Sequence, residues 1–200
     1  AEWKTESDGK TALLIEGARR IGKSTIVEEF GKNEYDSYIL IDFAFASQQV
    51  KELFNDLSDL NSFFRLLQFY TKKELFERKS LIIFDEVQKF PLARQAIKVL
   101  VKDHRYDYIE TGSLISIKEN VKDILIPSEE RKMQMYPMDY EEFCWATEET
   151  QAFELGRTIF ESKKSFGEAA NRDLMRKFRL YMIVGGMPQV VSVFLETNNF

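Results

Sequence analysis

The sequence predicts an α/β fold: a parallel sheet with helices on both faces. Three observations predict it. Short apolar runs alternate with helical periodicities as far as Tyr136. A glycine-bounded loop ending in Gly22-Lys23-Ser24 joins the first run to the first helix. A run that is apolar from Leu81 to Phe84 ends on two carboxylates, Asp85 and Glu86.

Residues 11–16 (TALLIE) form a run closed by Gly17 and read as a buried strand. Ile26, Val27 and Phe30 then share one helical face, and residues 38–43 (YILIDF) read as a second strand. Val50, Leu53, Phe54 and Leu57 recur at helical spacing, as do Leu60, Phe63, Phe64 and Leu67. Ser58 and Asp59 separate the two sets with residue types that cap helices. Residues 80–84 read as a strand buried on both faces. Pro91 suits the first turn of a helix. In that helix Ala93, Ala96, Ile97, Leu100 and Val101 form an apolar stripe, with Arg94, Gln95, Lys98 and Lys102 on the other side. His104 reads as a turn residue. Residues 106–110 make a fourth strand, ended by Thr111-Gly112-Ser113. Residues 132–136 make a fifth, with Met133 and Met135 as core residues. Strands alternating with helices imply a parallel sheet. From Asp139 the pattern is helical only, with Asp139 and Glu142 as a capping box and helices over 150–162 and 169–184. A boundary near Pro137 divides a core of residues 1–137 from a helical region of residues 138–200.

The chain's 200 residues, 44% hydrophobic, suffice for one full core. A 14% aromatic content, including 17 Phe, argues against disorder. With 28 basic and 33 acidic residues the net charge is -5, so no global field attracts nucleic acid. A single cysteine, Cys144, rules out an intrachain disulfide and a thiolate zinc site. A cytoplasmic setting is therefore expected. No apolar stretch approaches the roughly 20 residues of a membrane helix, and no signal pattern opens the chain. The first residues, Ala1-Glu2-Trp3, lack a Met, and Phe200 closely follows an apolar run, so a fragment of a longer protein is expected.

Gly17-Ala18-Arg19-Arg20-Ile21-Gly22-Lys23-Ser24 has the P-loop spacing GxxxxGK[ST], between a strand and a helix as the mechanism requires. Gly17 and Gly22 permit turns that a Cβ obstructs. The loop's N–H groups, including those of Ala18, Arg19, Arg20 and Ile21, then form an anion nest. The helix start adds its positive dipole end. Lys23 supplies a point charge to the β- and γ-phosphates, Ser24 a hydroxyl ligand for Mg²⁺, and Thr25 a contact to the α-phosphate. The same residues also suit a plain strand-to-helix turn with an exposed lysine. Arg19 and Arg20 read either as solvated charge or as phosphate contacts. No guanine-reading Asn-Lys-x-Asp segment is present, so ATP is the expected nucleotide.

Asp85 and Glu86 sit at the C-terminal end of a buried strand, the edge where open α/β sheets bind ligands. Asp85 is the expected partner of hydrated Mg²⁺, and Glu86 the group that polarises the attacking water. A second carboxylate favours hydrolysis over transfer to a small-molecule hydroxyl. Gln88 is either a sensor of the γ-phosphate or an ordinary loop residue. Thr111 and Ser113 either contact the γ-phosphate and water or cap a turn. Arg172, Arg176 and Arg179 share one helical face, which reads as a solvated face before it reads as a nucleic-acid stripe.

The segments GARRIGKST, LIIFDEVQ, ETGSLISI, ERKMQMYPMDYEEF and YMIVGGMPQVV resemble a family of prokaryotic AAA-type ATPases, over about residues 11–191. That family is similar to the signal-transduction ATPases with numerous domains. The resemblance implies a sheet order of 5-1-4-3-2, with the fourth strand between those of the P-loop and Asp85. It also implies a helical lid and, beyond this chain, a C-terminal domain like restriction endonucleases. Arg131 matches an arginine just before the fifth strand, a position that in AAA-type rings acts as an arginine finger on a neighbour's ATP. That role implies self-association through the nucleotide face. This chain has Glu130 where family members often have Gly, and Glu129 and Glu130 offer Arg131 neutralising partners. Gly185-Gly186-Met187-Pro188 looks like the Gly-x-Pro lid motif, whose proline packs near adenine. A helix stop at Gly185 or Gly186 explains the same residues without nucleotide.

Three functions stand open on the sequence. One is an Mg²⁺-dependent ATP hydrolase coupled to movement of the lid and a C-terminal effector. Another is a slow nucleotide-dependent switch or interaction module with little turnover. The third is a nucleic-acid-directed machine, which rests on the resemblance alone and gains nothing from the acidic composition.

Overall fold

The computed structural model describes residues 2–113, 128–165 and 167–197. Its strands are β1 (Ala12–Gly17), β2 (Ser37–Asp42), β3 (Ser80–Asp85), β4 (Asp107–Ser113) and β5 (Glu130–Met135). They form one sheet in the order β2-β3-β4-β1-β5, every pair parallel. This is the order 5-1-4-3-2 that the resemblance implies.

Period-2 alternation sorts the strand residues onto two faces. Leu14, Ile39, Ile41, Ile82, Phe84 and Tyr108 share a core with residues of α3 (Gln48–Glu52), α4 (Leu60–Thr71) and α5 (Pro91–Asp103). Leu13, Ile15, Leu81, Ile83 and Ile109 share the other with Trp3 of α1 (Glu2–Ser7) and Val27 of α2 (Lys23–Glu34). With helices on both faces, β3 is buried along its whole length, as its unbroken apolar run requires. Asp59 caps α4 by accepting from the N–H groups of Asn61 and Ser62, and Pro91 opens α5.

Several local readings are corrected. The helical spacing after Val50 gives only the short α3 and a 3-10 turn, Leu53–Asn55. β4 runs through Ser113, because Thr111 and Ser113 pair in register with Ile15 and Gly17 rather than forming a turn. Met133 is half exposed, since β5 is an edge strand among the described residues. Arg94, read as lying on the solvent side of its helix, is buried.

The reason Arg94 is buried lies 36 residues away. Its Nε donates to Glu130 Oε2 at 3.1 Å and its Nη2 to Glu130 Oε1 at 3.0 Å, and the Glu130 side chain has no exposure. Lys132 Nζ lies 3.9 Å from the same carboxylate. Glu110 of β4 is fully buried beside this pair. Burial pushes its carboxyl well above the usual range; Glu130 adds to the shift and Arg94 opposes it. The fold thus favours the protonated form of Glu110 more than the unfolded chain does. Its contribution to stability is full below the ordinary glutamate range and is lost as pH rises towards the raised value. Glu110→Gln keeps the neutral shape and removes that loss. Its melting temperature relative to wild type is expected to be higher at pH 8 than at pH 5. An equal difference at both pH values would contradict the assignment.

The chain divides into two compact units, residues 1–17 with 22–135, and residues 18–21 with 136–200. In the second, α6 (Tyr140–Ala146), α7 (Thr150–Ser162), α8 (Glu168–Val184) and α9 (Pro188–Thr197) gather a core around Phe143, Val184 and Val191. Asp139 and Glu142 form the capping box of α6. Gly185, at φ 78°, ends α8 in a conformation that suits glycine. Gly186 lies so close to the Met138 carbonyl that a Cβ has no room there, and the Met138 N–H donates to Gly186 O at 2.8 Å. Arg172, Arg176 and Arg179 are exposed on α8. Among the described residues no single helix is long and apolar enough to cross a membrane.

Candidate functional site

β1 ends at Gly17 and α2 begins at Lys23. Gly22 is the N-cap of α2 and has φ 92°, a left-handed conformation that costs glycine little. Arg20 adopts the same region at φ 63°. With glycine at the cap, the cap residue offers no side chain to the first-turn N–H groups of α2. Donors there and the helix dipole suit this end to an anion. Lys23 is buried, and its Nζ donates to Gly17 O at 3.2 Å, so a cation sits at the end of β1. Ala18, Arg19, Arg20 and Thr25 are exposed, whereas Ile21 is buried.

Parallel pairing brings the C-terminal ends of β1, β3 and β4 to one edge. Asp85, nearly buried at the end of β3, is the hub there. Its Oδ1 accepts from Ser24 Oγ at 3.0 Å and from Thr111 Oγ1. Thr111 Oγ1 in turn accepts from the Glu86 N–H at 3.3 Å. Ser24, Asp85, Glu86 and Thr111 are therefore one hydrogen-bonded group drawn from three elements. Ser113 Oγ is buried without a hydrogen-bond partner among the described residues, on the residue paired with Gly17.

Glu86 has φ 56°, again left-handed, and leads into a 3-10 turn over Val87–Lys89. This tight turn returns Gln88 towards Glu86, and Gln88 Nε2 donates to Glu86 Oε2. Gln88 is itself buried.

The donor set fits a hard divalent cation bound with phosphates. Ser24 and Asp85 present two oxygens in contact. No group of three or more His, Cys, Asp or Glu able to hold a metal exists among the described residues. A cation here must complete its shell from water and ligand phosphate, which is how Mg²⁺ is commonly held.

Arg131 makes its contact elsewhere. Arg131 is at the start of β5, beside Leu13, and pairs with Glu6 at 2.5 Å. Its neighbour Glu130 turns to Arg94 instead of neutralising it. Pro188 is the first residue of α9, in the other compact unit. The sequence missed the Gln88–Glu86 bond and the buried Glu110, both set by backbone geometry that residue spacing alone does not reveal.

The sequence model of the AAA domain family matches residues 9–144. No curated protein matches the chain in sequence. Among solved structures, C. elegans PCH-2 is similar with a TM-score of 0.48 and 12% identity, over 97% of this chain and 56% of that one. The chain thus spans little more than half of that relative's length. Drosophila ORC, in a structure bound to GC-rich DNA and Cdc6, is similar with a TM-score of 0.43 and 10% identity, over 99% of this chain and 90% of that one.

Proposed function

Because this chain belongs to the AAA domain family, we propose that it binds ATP with Mg²⁺ and hydrolyses the terminal phosphoanhydride. The observation that carries the reading is the Ser24–Asp85 contact of 3.0 Å at the glycine-capped start of α2. It supports one shared place for triphosphate and metal. Gly17 to Ser24 and Thr25 bind the phosphates, with Lys23 leaving Gly17 O to reach the β- and γ-oxygens. Ser24 and Asp85 hold Mg²⁺, which, when bound, neutralises charge on the β- and γ-phosphates.

Glu86 is the general base. It takes a proton from water as the water oxygen bonds to the γ-phosphorus. The bond from that phosphorus to the β–γ bridging oxygen breaks, and ADP leaves with the electron pair. Thr111 orients Asp85 and the Glu86 backbone, and the Ser113 hydroxyl is available to the γ-phosphate or the water. We assign the helical unit from residue 138 onwards to a lid whose position follows the nucleotide, with Pro188 at its adenine side. Arg131, paired to Glu6 at the start of β5, acts on this chain's own ATP in no step; its place as a finger belongs to contact with a second copy.

Phosphate release from ATP tests the reading. Wild type is expected to turn over with Mg²⁺ and to stop when EDTA removes it. A protein that binds ATP but releases phosphate no faster than Glu86→Gln is instead a nucleotide-dependent switch.

A further inference from the structure

We propose that Gln88 is a positioning residue for hydrolysis: its buried side-chain amide holds Glu86 Oε2 and so aims Oε1 at the attacking water. The inference rests on the reading of Glu86 as the general base.

Glu86 is fixed by its surroundings at three points. Its N–H donates to Thr111 Oγ1 at 3.3 Å, which ties its backbone to the strand carrying the site hydroxyls. Its carbonyl accepts from the Lys89 N–H at 2.8 Å, which closes the turn over Val87–Lys89. Its side chain would still rotate about three bonds, and a freely rotating carboxylate spends little time facing one water. The Gln88 amide supplies the third point by donating to Oε2. A carboxylate has two oxygens, so one remains for water while the other is tethered.

The geometry that makes this possible is strained. Glu86 has φ 56° and ψ 43°, a region that non-glycine residues seldom occupy. An extended residue there would send Gln88 to the other side of the chain. Left-handed Glu86 followed by a 3-10 turn brings positions 86 and 88 to one side. Gln88 is only 8% exposed, so its amide is desolvated and its rotamer confined. A solvated loop glutamine would not hold a neighbour in this way.

The test is a double-mutant cycle on ATP hydrolysis by the whole chain. Gln88→Met keeps the buried volume and removes the donor. It is expected to lower kcat at least about tenfold, up to the roughly 100-fold cost of a misplaced catalytic group, with KM for ATP within about twofold of wild type. In a Glu86→Gln background the same substitution is expected to cause no further loss, because the group it positions has gone. Gln88→Glu, which keeps the shape and replaces the donor with an oxygen, is expected to lose at least as much kcat and covers the case in which Gln88→Met does not fold. Wild-type kcat in both variants would overturn the proposal. So would a full tenfold loss in the Glu86→Gln background, the mark of a purely structural glutamine. Equal phosphate release by wild type and Glu86→Gln is a different failure, that of Glu86 as base, and it removes the premise.

Discussion

Glu86→Gln is expected to bind ATP as tightly as wild type and to release phosphate at least about 100-fold more slowly, the usual lower bound for losing a general base. The substitution keeps the shape of the side chain and its contact with the Gln88 amide, because the glutamine carbonyl still accepts. It also leaves the Glu86 N–H bond to Thr111 in place, since that bond is made by the backbone. Binding is untouched for the same reason: phosphate contacts come from the Gly17–Ser24 loop, and metal contacts from Ser24 and Asp85. An affinity unchanged while kcat collapses therefore separates the base from the binding groups. A fall in affinity matching the fall in rate would show that position 86 holds nucleotide instead.

The second large effect concerns folding. Arg94→Ala is expected to destabilise the protein by about 3–5 kcal/mol, the range for removing one partner of a buried ion pair. Glu130 has no side-chain exposure, and Arg94 donates to both of its carboxylate oxygens. Without it, the buried Glu130 carboxylate is left beside the buried Glu110 with its short hydrogen bonds unmade. Lys132, at 3.9 Å, moderates the loss and draws it to the lower end of that range. Denaturant melts measure it, and for a chain of this size 3 kcal/mol is roughly 6–12 °C in Tm. The double variant Arg94→Leu/Glu130→Leu is expected to recover most of the loss, because buried pairs exchanged for apolar residues are often neutral. A loss below 1 kcal/mol for Arg94→Ala would mean that Glu130 finds water.

The cluster of Arg94, Glu110 and Glu130 also marks where sequence reading stops. Helical periodicity puts Arg94 opposite the apolar stripe of α5, and that reading treats every charge as facing solvent. The partner lies 36 residues along the chain on β5, and only the sheet order brings it near. The P-loop, by contrast, is legible because its function is local: eight consecutive residues between a strand and a helix carry the glycines, the lysine and the hydroxyl. Asp85 is legible because a strand buried on both faces must end at the ligand edge. What links Asp85 to Ser24 and Thr111 is not local. Their separations of 61 and 26 residues become hydrogen bonds only once β4 lies between β1 and β3. That placement came from resemblance, since strand spacing leaves the order of a parallel sheet open. Thr111 and Ser113 are legible as candidates, either for the site or for a turn, because Thr-Gly-Ser is turn composition; pairing with β1 puts them in the strand. Gln88 stayed ambiguous for a related reason: nothing in the letters Asp-Glu-Val-Gln announces a left-handed glutamate.

Equilibrium ATP binding by wild type and Lys23→Ala, both with Mg²⁺, tests the phosphate site most directly. Wild type is expected to bind one ATP per chain, and Lys23→Ala to bind about 10- to 100-fold more weakly, the equivalent of one charged hydrogen-bonding group. Equal affinity in the two proteins would contradict the placement of the triphosphate at Gly17–Ser24.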